Sequence, residues 1–568
     1  MEKKTVVLYP GLSVSHFVPM MRLAGPLLDH GYAVSVALID TGVKQVIAFN
    51  TVVGRVAASM PSVRFHTLPA VEDPPKLAQD GQFVLTYLHL VSRYNERLHD
   101  FLCSMRVHAV VVDSLSNAAL AVVKRLGIPG YTLFTSSAAT FVAFAQLPTV
   151  LAESGASFKE LGDTPLELFG LPPMPASHLS GDVLEDPESD TYKAMMALLC
   201  RIPEADGTLV NTFESLEARA VAALRDPRCV PGRALPPVYC IGPFVGSIAD
   251  AEAKERHDCL AWLDSQPDGS VVFLCFGSIG TGNHSAEQLR EIAVGLDKSG
   301  HRFLWVVRAP ASNDPEKPHD PSADPDLNAL MPDGFMERTN GRGLVVKLWA
   351  PQVDVLRHRA TGAFVTHCGW NSVLKGVTAG VPMLCWPLYS EQKMNKVHMV
   401  GDMGIAAEMV GWQQGLVKAG EVEAKVRLVM ESEEGRELRA RAAAYREAAA
   451  VACNDGGSSR LAFAQFLADV ASRQDRACSE GRDYMGTTEA WTYCKCTHTP
   501  LTKGDNMLLY SYVVTFHKLG SYDDLPLLPK CIHLTTTMHP GFLRLLVHMF
   551  FCMFSNHGLF ISTCALVT

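Results

Sequence analysis

Short apolar runs alternate with longer amphipathic segments along the first half of the chain. The runs predict buried strands, and the segments between them predict helices. In chain order the predicted elements are a strand at Thr5 to Tyr9, a helix at Met20 to His30, a strand at Ala33 to Ile39, a strand at Ala109 to Val112, a helix at Ser116 to Leu126 and a strand at Tyr131 to Phe134. This alternation predicts a doubly wound parallel sheet.

The same pattern starts again after a polar and charged stretch at residues 241–258, which predicts a linker. The second half contains a strand at Ser270 to Cys275, a helix at Ser285 to Lys298, a strand at Arg302 to Val307, an Asp- and Pro-rich surface loop at Ala309 to Asp326 and a strand at Gly343 to Leu348. Ligands of such sheets bind beyond the carboxyl ends of the strands. The sequence therefore predicts an α/β protein in which two Rossmann-like domains, residues 1–240 and 259–457, face each other across a cleft.

One block of the second half, Trp349 to Gln392, combines a strand, a tight turn and a helix. The strand is Ala363 to Thr366, the turn begins at His367, and Gly380 and Pro382 end the helix before a further strand at Met383 to Trp386. A helix that follows a strand in this way aims free backbone N–H groups and its positive end at one point, where a phosphate binds. The block therefore predicts a phosphate site.

Polar and aromatic side chains of this block suit the remaining parts of a sugar nucleotide. His367, Asn371 and Ser372 add side-chain donors at the helix start. Trp349 offers a flat face for a base and Gln352 can bond polar edges near it. Glu391 and Gln392 have the acceptors and donors that sugar hydroxyls require. Each of these residues alone is more often structural than functional, but the combination predicts a sugar-nucleotide pocket.

These 44 residues closely resemble the signature of the plant family-1 UDP-glycosyltransferases in order, spacing and the closing Glu-Gln pair. The resemblance implies the GT-B arrangement of two Rossmann-like domains, with a final helix, here residues 458–472, that returns to the first domain. It also implies a set of donor-binding residues within the signature. These are Trp349, Ala350, Gln352, His367, Gly369, Trp370, Asn371, Ser372, Lys375, Ser390, Glu391 and Gln392. Thr135 and Ser278, at loop ends that face the cleft, are two further donor-binding candidates.

One position departs from that signature. The family has a Glu where this chain has Lys375, four residues after Asn371 on the same helix face. The family's Glu is expected to accept hydrogen bonds from the ribose hydroxyls, and a lysine cannot accept one. Loss of this acceptor would weaken donor binding by roughly 1.5–3 kcal/mol, although a nearby diphosphate could pair with the ammonium. A catalytically impaired homologue that only binds small molecules is therefore the alternative to an enzyme.

Two residues of the first domain are candidates for catalysis. His16 follows the first strand in a loop, and Asp113 ends another strand, where it could instead cap the helix that begins near Ser116. The family carries its catalytic histidine in a matching Pro-Gly-x-x-x-x-His-x-x-Pro loop, so the resemblance favours function. His16 is then expected to take the proton of an acceptor hydroxyl while Asp113 orients the imidazole.

The resemblance also implies the reaction. The sugar is transferred with inversion, and the charge on the leaving UDP is met by His367, Asn371, Ser372 and backbone amides, without a metal or a cofactor. In the family a closing Gln, here Gln392, is associated with glucose, so UDP-glucose is the expected donor. Local resemblance at Tyr9 to Leu12 and at Asn211 to Glu217 indicates a small phenolic acceptor such as a flavonoid, with Pro172 to Tyr192 lining its pocket.

Composition narrows the setting. The net charge of −9 and the pI near 6.1 argue against nucleic acid as a partner. The N-terminal apolar run is too short for a secretory signal, and nine of the 15 cysteines are scattered over the first 453 residues without zinc spacing. These features predict a cytoplasmic monomer with reduced core thiols. The glycines after both first strands lack GxGxxG spacing, which disfavours a nicotinamide-dependent oxidoreductase.

The resemblance ends near Ser472. Residues 473–568 carry six cysteines and little amphipathic order. The apolar stretch from Gly541 to Thr568 is interrupted by Arg544, His548 and a Ser-Asn-His-Gly run, whereas a membrane span needs about 20 apolar residues. A poorly ordered tail from mis-splicing or read-through is preferred here to an accessory segment or a membrane tail, and no stable membrane insertion is expected.

Overall fold

The computed structural model describes residues 4–40, 47–75, 83–246, 256–277, 284–310, 323–479, 495–504, 507–515 and 531–536. Ser278, a candidate donor-binding residue, lies outside the described residues, as do residues 247–255 of the predicted linker and residues 311–322 of the predicted surface loop. In the described part of the chain, no helix is both long and apolar enough to cross a membrane.

The first domain is built on a parallel sheet. Its strands are β1 Thr5–Tyr9, β2 Ala33–Leu38, β3 Val63–Thr67, β4 Val107–Asp113, β5 Gly130–Phe134, β6 Pro165–Leu166, β7 Met174–Pro175, β8 Gly207–Val210 and β9 Val238–Cys240. Seven of these described strands form one sheet in the order β3-β2-β1-β4-β5-β8-β9, and β6 and β7 pair separately. The strand order reverses between β1 and β4, which is where ligands bind in such sheets.

Helices cover this sheet and connect its strands. They are α1 Val14–Asp29, α2 Ile47–Ser59, α3 Phe83–Arg93, α4 Asn95–Cys103, α5 Leu120–Arg125, α6 Ala138–Ser154, α7 Phe158–Leu161, α8 Asp190–Cys200 and α9 Ala218–Leu224. The prediction of a loop around His16 was wrong, because α1 begins at Val14 and places His16 in its first turn. The predicted helix from Ser116 is a 3-10 turn, Ser114–Ala119, followed by α5.

The second domain repeats this plan. Its strands are β10 Val271–Cys275, β11 Arg302–Val307, β12 Gly343–Lys347, β13 Thr361–Thr366, β14 Met383–Cys385 and β15 Ala406–Glu408. Its helices are α10 Asp258–Asp264, α11 Ala286–Ser299, α12 Leu327–Leu330, α13 Phe335–Arg338, α14 Gln352–Arg357, α15 Trp370–Ala379, α16 Gln392–Val400, α17 Ala419–Glu431 and α18 Glu433–Cys453. The described strands form a parallel sheet in the order β12-β11-β10-β13-β14-β15, which reverses between β10 and β13.

The central strands of both sheets are buried along nearly their whole length. β13, with the sequence TGAFVT, has no exposed residue, and β4 is apolar except for its second and last residues. Strands covered by helices on both faces read as continuous apolar runs, which is why the sequence identified them. Two parallel Rossmann-like sheets confirm the predicted fold class.

A long final helix, α19 Ser458–Ser479, returns to the first domain. Phe466 is fully buried and packs edge-on against Tyr131 of β5, with ring centroids 4.9 Å apart. Further along, Arg473 Nη1 lies 2.7 Å from Asp206 Oδ1. This ion pair holds the helix beyond Ser472, where its predicted end lay.

Within the segment predicted to be a poorly ordered tail, the structure describes three strands, β16 Lys495–Gly504, β17 Met507–Thr515 and β18 Cys531–Thr536. They form an antiparallel sheet in that order, in a unit separate from the one that contains both Rossmann-like domains.

Nine cysteines with described side chains are free thiols. Cys103, Cys200 and Cys453 are exposed, so the prediction that all nine are core thiols was wrong for these three. Each lies near the C-terminal end of a helix, where an apolar sequence setting does not guarantee burial.

Candidate active site

His16 and Asp113 meet at the carboxyl edge of the first sheet. β1 and β4 are neighbouring parallel strands, so the segments that follow Tyr9 and Val112 emerge side by side. Gly11 lies between the two side chains. A Cβ atom at Gly11 would lie 2.8 Å from Asp113 Oδ2 and 3.1 Å from His16 Cβ. Glycine is therefore needed there for the two side chains to approach.

The carboxyl group of Asp113 serves two partners. Its Oδ1 lies 2.7 Å from His16 Nδ1, and its Oδ2 accepts a hydrogen bond of 3.1 Å from the backbone N–H of Leu115. Asp113 therefore both caps the following 3-10 turn and contacts the histidine, so the predicted cap is confirmed and the catalytic role stays a prediction. Because an ionised carboxylate only accepts hydrogen bonds, the hydrogen is on Nδ1 and the lone pair of the imidazole is on Nε2.

Burial and charge act in opposite directions on His16. Burial lowers the pKa of His16, but the negative charge of Asp113, the hydrogen bond to it and the charge of Glu391 outweigh burial and raise the pKa above its ordinary 6.5. Thr135, at the end of β5, places its Oγ1 3.4 Å from His16 Nδ1. Thr135 thus lies beside the imidazole, and its predicted role in donor binding stays a prediction.

The turn between β13 and α15 forms the opposite side of the cleft. Gly369 is the N-cap residue of α15 and has no side chain over the free N–H groups of the first turn. Cys368 before it has a φ of +65°, a left-handed conformation that turns the chain sharply into the helix. A helix of this length presents its positive end to the cleft, which suits a phosphate.

His367 is enclosed by two glycines. A Cβ atom at Gly369 would lie 2.5 Å from His367 Nε2, and one at Gly277, at the end of β10, would lie 2.8 Å from it. The imidazole is 7% exposed, and its Nδ1 has no hydrogen-bond partner among the described residues. Burial and the charge of Lys375 lower the pKa of His367 to about 4, so the ring is neutral at pH 7.

The first turn of α15 also contacts the first domain. Asn371 Nδ2 donates to the backbone oxygen of Ser15 at 2.9 Å, next to His16. Trp370 is 2% exposed, and its Nε1 donates to the backbone oxygen of Asn211 at 2.7 Å. Trp370 is therefore a packing residue between the domains, and Asn371 connects the start of α15 to the residue before His16.

Trp349 and Gln352 belong to the segment of the second domain that leads into α14. Trp349 is 47% exposed, and its ring contacts His257 edge-on at 5.8 Å, whereas Ala350 is buried. Gln352 begins α14 and donates from Nε2 to Ser372 Oγ at 3.2 Å. Lys375 Nζ donates to Gln352 Oε1 at 2.8 Å. Gln352 thus connects the start of α14 to Ser372 and Lys375 of α15.

Residues 390–392, at the end of the signature, differ in their contacts and in their exposure. Glu391 Oε1 accepts a hydrogen bond of 3.1 Å from Ser136 Oγ of the first domain, and Ser390 is exposed with a φ of +52°. Gln392 is 2% exposed, and its Oε1 accepts from the backbone N–H groups of Leu388 and Tyr389. The side-chain oxygen of Gln392 therefore stabilises the loop that precedes Glu391.

Sequence reasoning missed Asn395, which joins the two domains. Its Oδ1 accepts from Ser137 Oγ at 2.9 Å and from Thr140 Oγ1 at 3.2 Å, and its Nδ2 donates to the backbone oxygen of Cys368 at 3.0 Å. Asn395 lies one helical turn after Gln392 on α16. Its place one helical turn after Gln392, on the same helix face, was the available signal.

The loop predicted to line the acceptor pocket is anchored on the second domain. His178 is 8% exposed and its ring lies 5.7 Å from that of Trp412. Lys393 Nζ donates to the backbone oxygen of Ser177 at 3.1 Å. Burial and the charges of Lys396 and Lys393 lower the pKa of His178 to about 4, so it is neutral at this contact.

Comparisons with known proteins agree with this geometry. Residues 231–433 match the model of the family described as UDP-glucoronosyl and UDP-glucosyl transferase. UDP-glycosyltransferase 88F4 of Malus domestica is 40% identical over 480 residues, which cover 82% of this chain and 99% of that protein. Phloretin 2'-O-glucosyltransferase of Pyrus communis is 39% identical over 492 residues, with 82% and 99% coverage.

A solved structure extends the similarity to three dimensions. The structure of Phytolacca americana UGT2 complexed with UDP-2fluoro-glucose and pterostilbene is 33% identical, with a TM-score of 0.70 over 82% of this chain and 99% of that chain. Two Rossmann-like domains around a cleft with a His-Asp pair on one side and an open helix N-terminus on the other define a glycosyltransferase of the GT-B class. Within that class, the chain belongs to the UDP-glycosyltransferase family.

Proposed function

We propose that the protein transfers glucose from UDP-glucose to a hydroxyl of a small phenolic acceptor such as a flavonoid, with inversion and with His16 as the general base. The observation that carries this proposal is the His16–Asp113 pair across the cleft from the start of α15. The donor and acceptor classes are supported by relatives named for phloretin and by a similar structure with UDP-2fluoro-glucose and pterostilbene.

The base step follows from the acidities involved. A phenol has a pKa of about 10, so at neutral pH it is a poor nucleophile unless its proton leaves as the new bond forms. His16 Nε2 receives that proton. Asp113 keeps the hydrogen on Nδ1 and stabilises the imidazolium that results. The phenol oxygen then attacks the anomeric carbon from the side opposite to UDP, which inverts its configuration.

The departing diphosphate gains negative charge as the bond between its oxygen and the anomeric carbon of glucose breaks. The free N–H groups at the start of α15, together with Asn371 and Ser372, can stabilise that charge. His367 is neutral at pH 7 and contributes a hydrogen bond rather than a positive charge. We propose that these groups suffice without a metal or a cofactor.

His16→Ala tests the proposal. The variant should lose about 10²- to 10⁴-fold in turnover of UDP-glucose with a phenolic acceptor, because general-base catalysis contributes that much. UDP release and the mass of the glycoside are measured together. His30→Ala is the matched control, since His30 is exposed at the other end of the same helix. Parent-like activity of His16→Ala would remove His16 from the mechanism.

A second candidate is a catalytically impaired homologue that only binds small molecules. The contact of Lys375 with Gln352 favours it, because the ammonium occupies the donor side of the cleft. A native protein that binds phenols without releasing UDP, together with a Lys375→Glu variant that turns over UDP-glucose, would establish this candidate. Turnover by the native protein would exclude it.

A further inference from the structure

The position of the nucleotide ribose follows from the two ends of the donor site. This inference rests on the proposed function, in which the base stacks on the exposed Trp349 ring and the diphosphate lies at the start of α15. The ribose connects base and diphosphate, so it must lie between those points. The side chains that span this interval are Gln352, Ser372 and Lys375.

The hydrogen-bond direction in this series is fixed by Lys375. An ammonium group only donates, so the atom of Gln352 that faces Lys375 Nζ at 2.8 Å must be the carbonyl oxygen. The amide nitrogen of Gln352 therefore faces Ser372 Oγ, at 3.2 Å. Lys375 thus adds donors to the ribose region and occupies the carbonyl oxygen that Gln352 could offer to a hydroxyl.

A ribose 2'-hydroxyl gains little from such a lining. To use its own hydrogen it needs an acceptor, and at the Gln352 carbonyl oxygen it would have to share that atom with the stronger, charge-assisted bond from Lys375. The ammonium charge also extends toward the start of α15, because it helps to lower the pKa of His367. A diphosphate with two negative charges will attract Lys375 more strongly than a hydroxyl does.

We propose that Lys375 makes this donor site recognise the diphosphate rather than the ribose 2'-hydroxyl, so that 2'-deoxyribonucleoside diphosphate sugars are accepted nearly as well as UDP-sugars. In a site with a carboxylate at position 375, the 2'-hydroxyl would donate to it, and its loss would be costly. The substitution at this one position therefore determines whether the sugar of the nucleotide is discriminated.

The test is equilibrium binding of UDP and 2'-deoxy-UDP, measured by calorimetry for the native protein and for Lys375→Glu. The native protein should bind the two within about threefold of each other, whereas Lys375→Glu should prefer UDP by about tenfold or more, the cost of one unpaired hydrogen-bonding group. Lys159→Glu is the matched control, because it makes the same charge change at an exposed position of α7. Its ratio should equal that of the native protein.

Lys375→Met guards against misfolding of the Glu variant. It removes the ammonium and frees the Gln352 carbonyl oxygen, so it should weaken both nucleotides, reduce the dependence of affinity on salt and shift the ratio toward UDP by less than Lys375→Glu does. In turnover, kcat/KM of the native enzyme for UDP-glucose and 2'-deoxy-UDP-glucose should also agree within about threefold, because binding of the ribose makes little difference.

The outcomes separate this inference from the proposed function. A native protein that binds UDP more than tenfold tighter than 2'-deoxy-UDP overturns the inference and leaves the transferase intact. An unchanged ratio in Lys375→Glu also overturns it, because position 375 then has no part in the choice. A native protein that binds neither nucleotide overturns the proposed function, and the inference with it.

Discussion

At the scale of single residues, the site depends on one buried carboxylate whose two oxygens have different hydrogen-bond partners. Asp113 gives one oxygen to His16 and the other to the backbone of Leu115, so it is fixed by its own strand and turn before it fixes the imidazole. Its side chain is fully buried, and the interaction with His16 is therefore poorly screened by salt. Asp113 therefore orients the histidine from within the first domain.

The pH dependence of activity follows from the raised pKa of His16. The base must be neutral to accept a proton, so kcat/KM should be constant at high pH and fall as the pH drops through a pKa above 6.5. Asp113→Asn removes the charge that raises this pKa, and the acid limb should move to lower pH while the rate falls. A pH–rate profile of both proteins checks this, and an unmoved acid limb in Asp113→Asn would contradict it.

At the scale of elements, the turn into α15 allows no extra atom. Gly369→Ala would place a methyl group 2.5 Å from His367 Nε2, so the ring must move and the helix N-terminus with it. We expect a loss of UDP affinity of about tenfold or more, since overpacking costs about 1–3 kcal/mol. Calorimetric titration with UDP measures it.

Gly25→Ala is the control for that substitution. Gly25 lies inside α1, and a methyl group there meets nothing within 4 Å apart from its chain neighbours and the backbone of its own helix. The change should leave UDP affinity as it is, because it lies away from His367 and from the start of α15. Equal losses of affinity in both glycine variants would show that the enclosure of His367 has no role.

The strands and the turn between β13 and α15 could be predicted from the sequence, because the patterns that indicate them are local. The strands at Thr5–Tyr9 and Arg302–Val307 have the predicted bounds, and α15 is followed by Gly380 as its C-cap. Contacts between domains carry no such signal. The bond from Asn371 to Ser15 and the role of Asn395 depend on residues hundreds of positions apart, which only the folded chain brings together.

At the scale of the whole molecule, the final helix closes the chain onto its first domain. Phe466 lies in the core of that domain against Tyr131, and Ser459 donates a hydrogen bond to the backbone oxygen of Gly242. The helix therefore joins the C-terminal part of the transferase to the domain that contains His16.

Phe466→Ala should destabilise the protein by about 3–5 kcal/mol, as deletion of a buried phenylalanine does. Leu461→Ala on the same helix is the control, because Leu461 is 60% exposed and should change stability by less than about 0.5 kcal/mol. Denaturant unfolding followed by tryptophan fluorescence provides the comparison. Similar midpoints for the two variants would show that α19 adds nothing to the first domain.

In the proposed mechanism, the hydrogen bond from Asn371 to Ser15 connects the site of the nucleotide to that of the acceptor. The amide of Asn371 lies in the first turn of α15, and the carbonyl that accepts its hydrogen bond precedes His16. A free-energy change that a bound nucleotide makes at this contact would therefore reach His16 and an acceptor beside it. Such coupling is reciprocal, so the factor by which UDP alters phenol affinity must equal the factor by which the phenol alters UDP affinity.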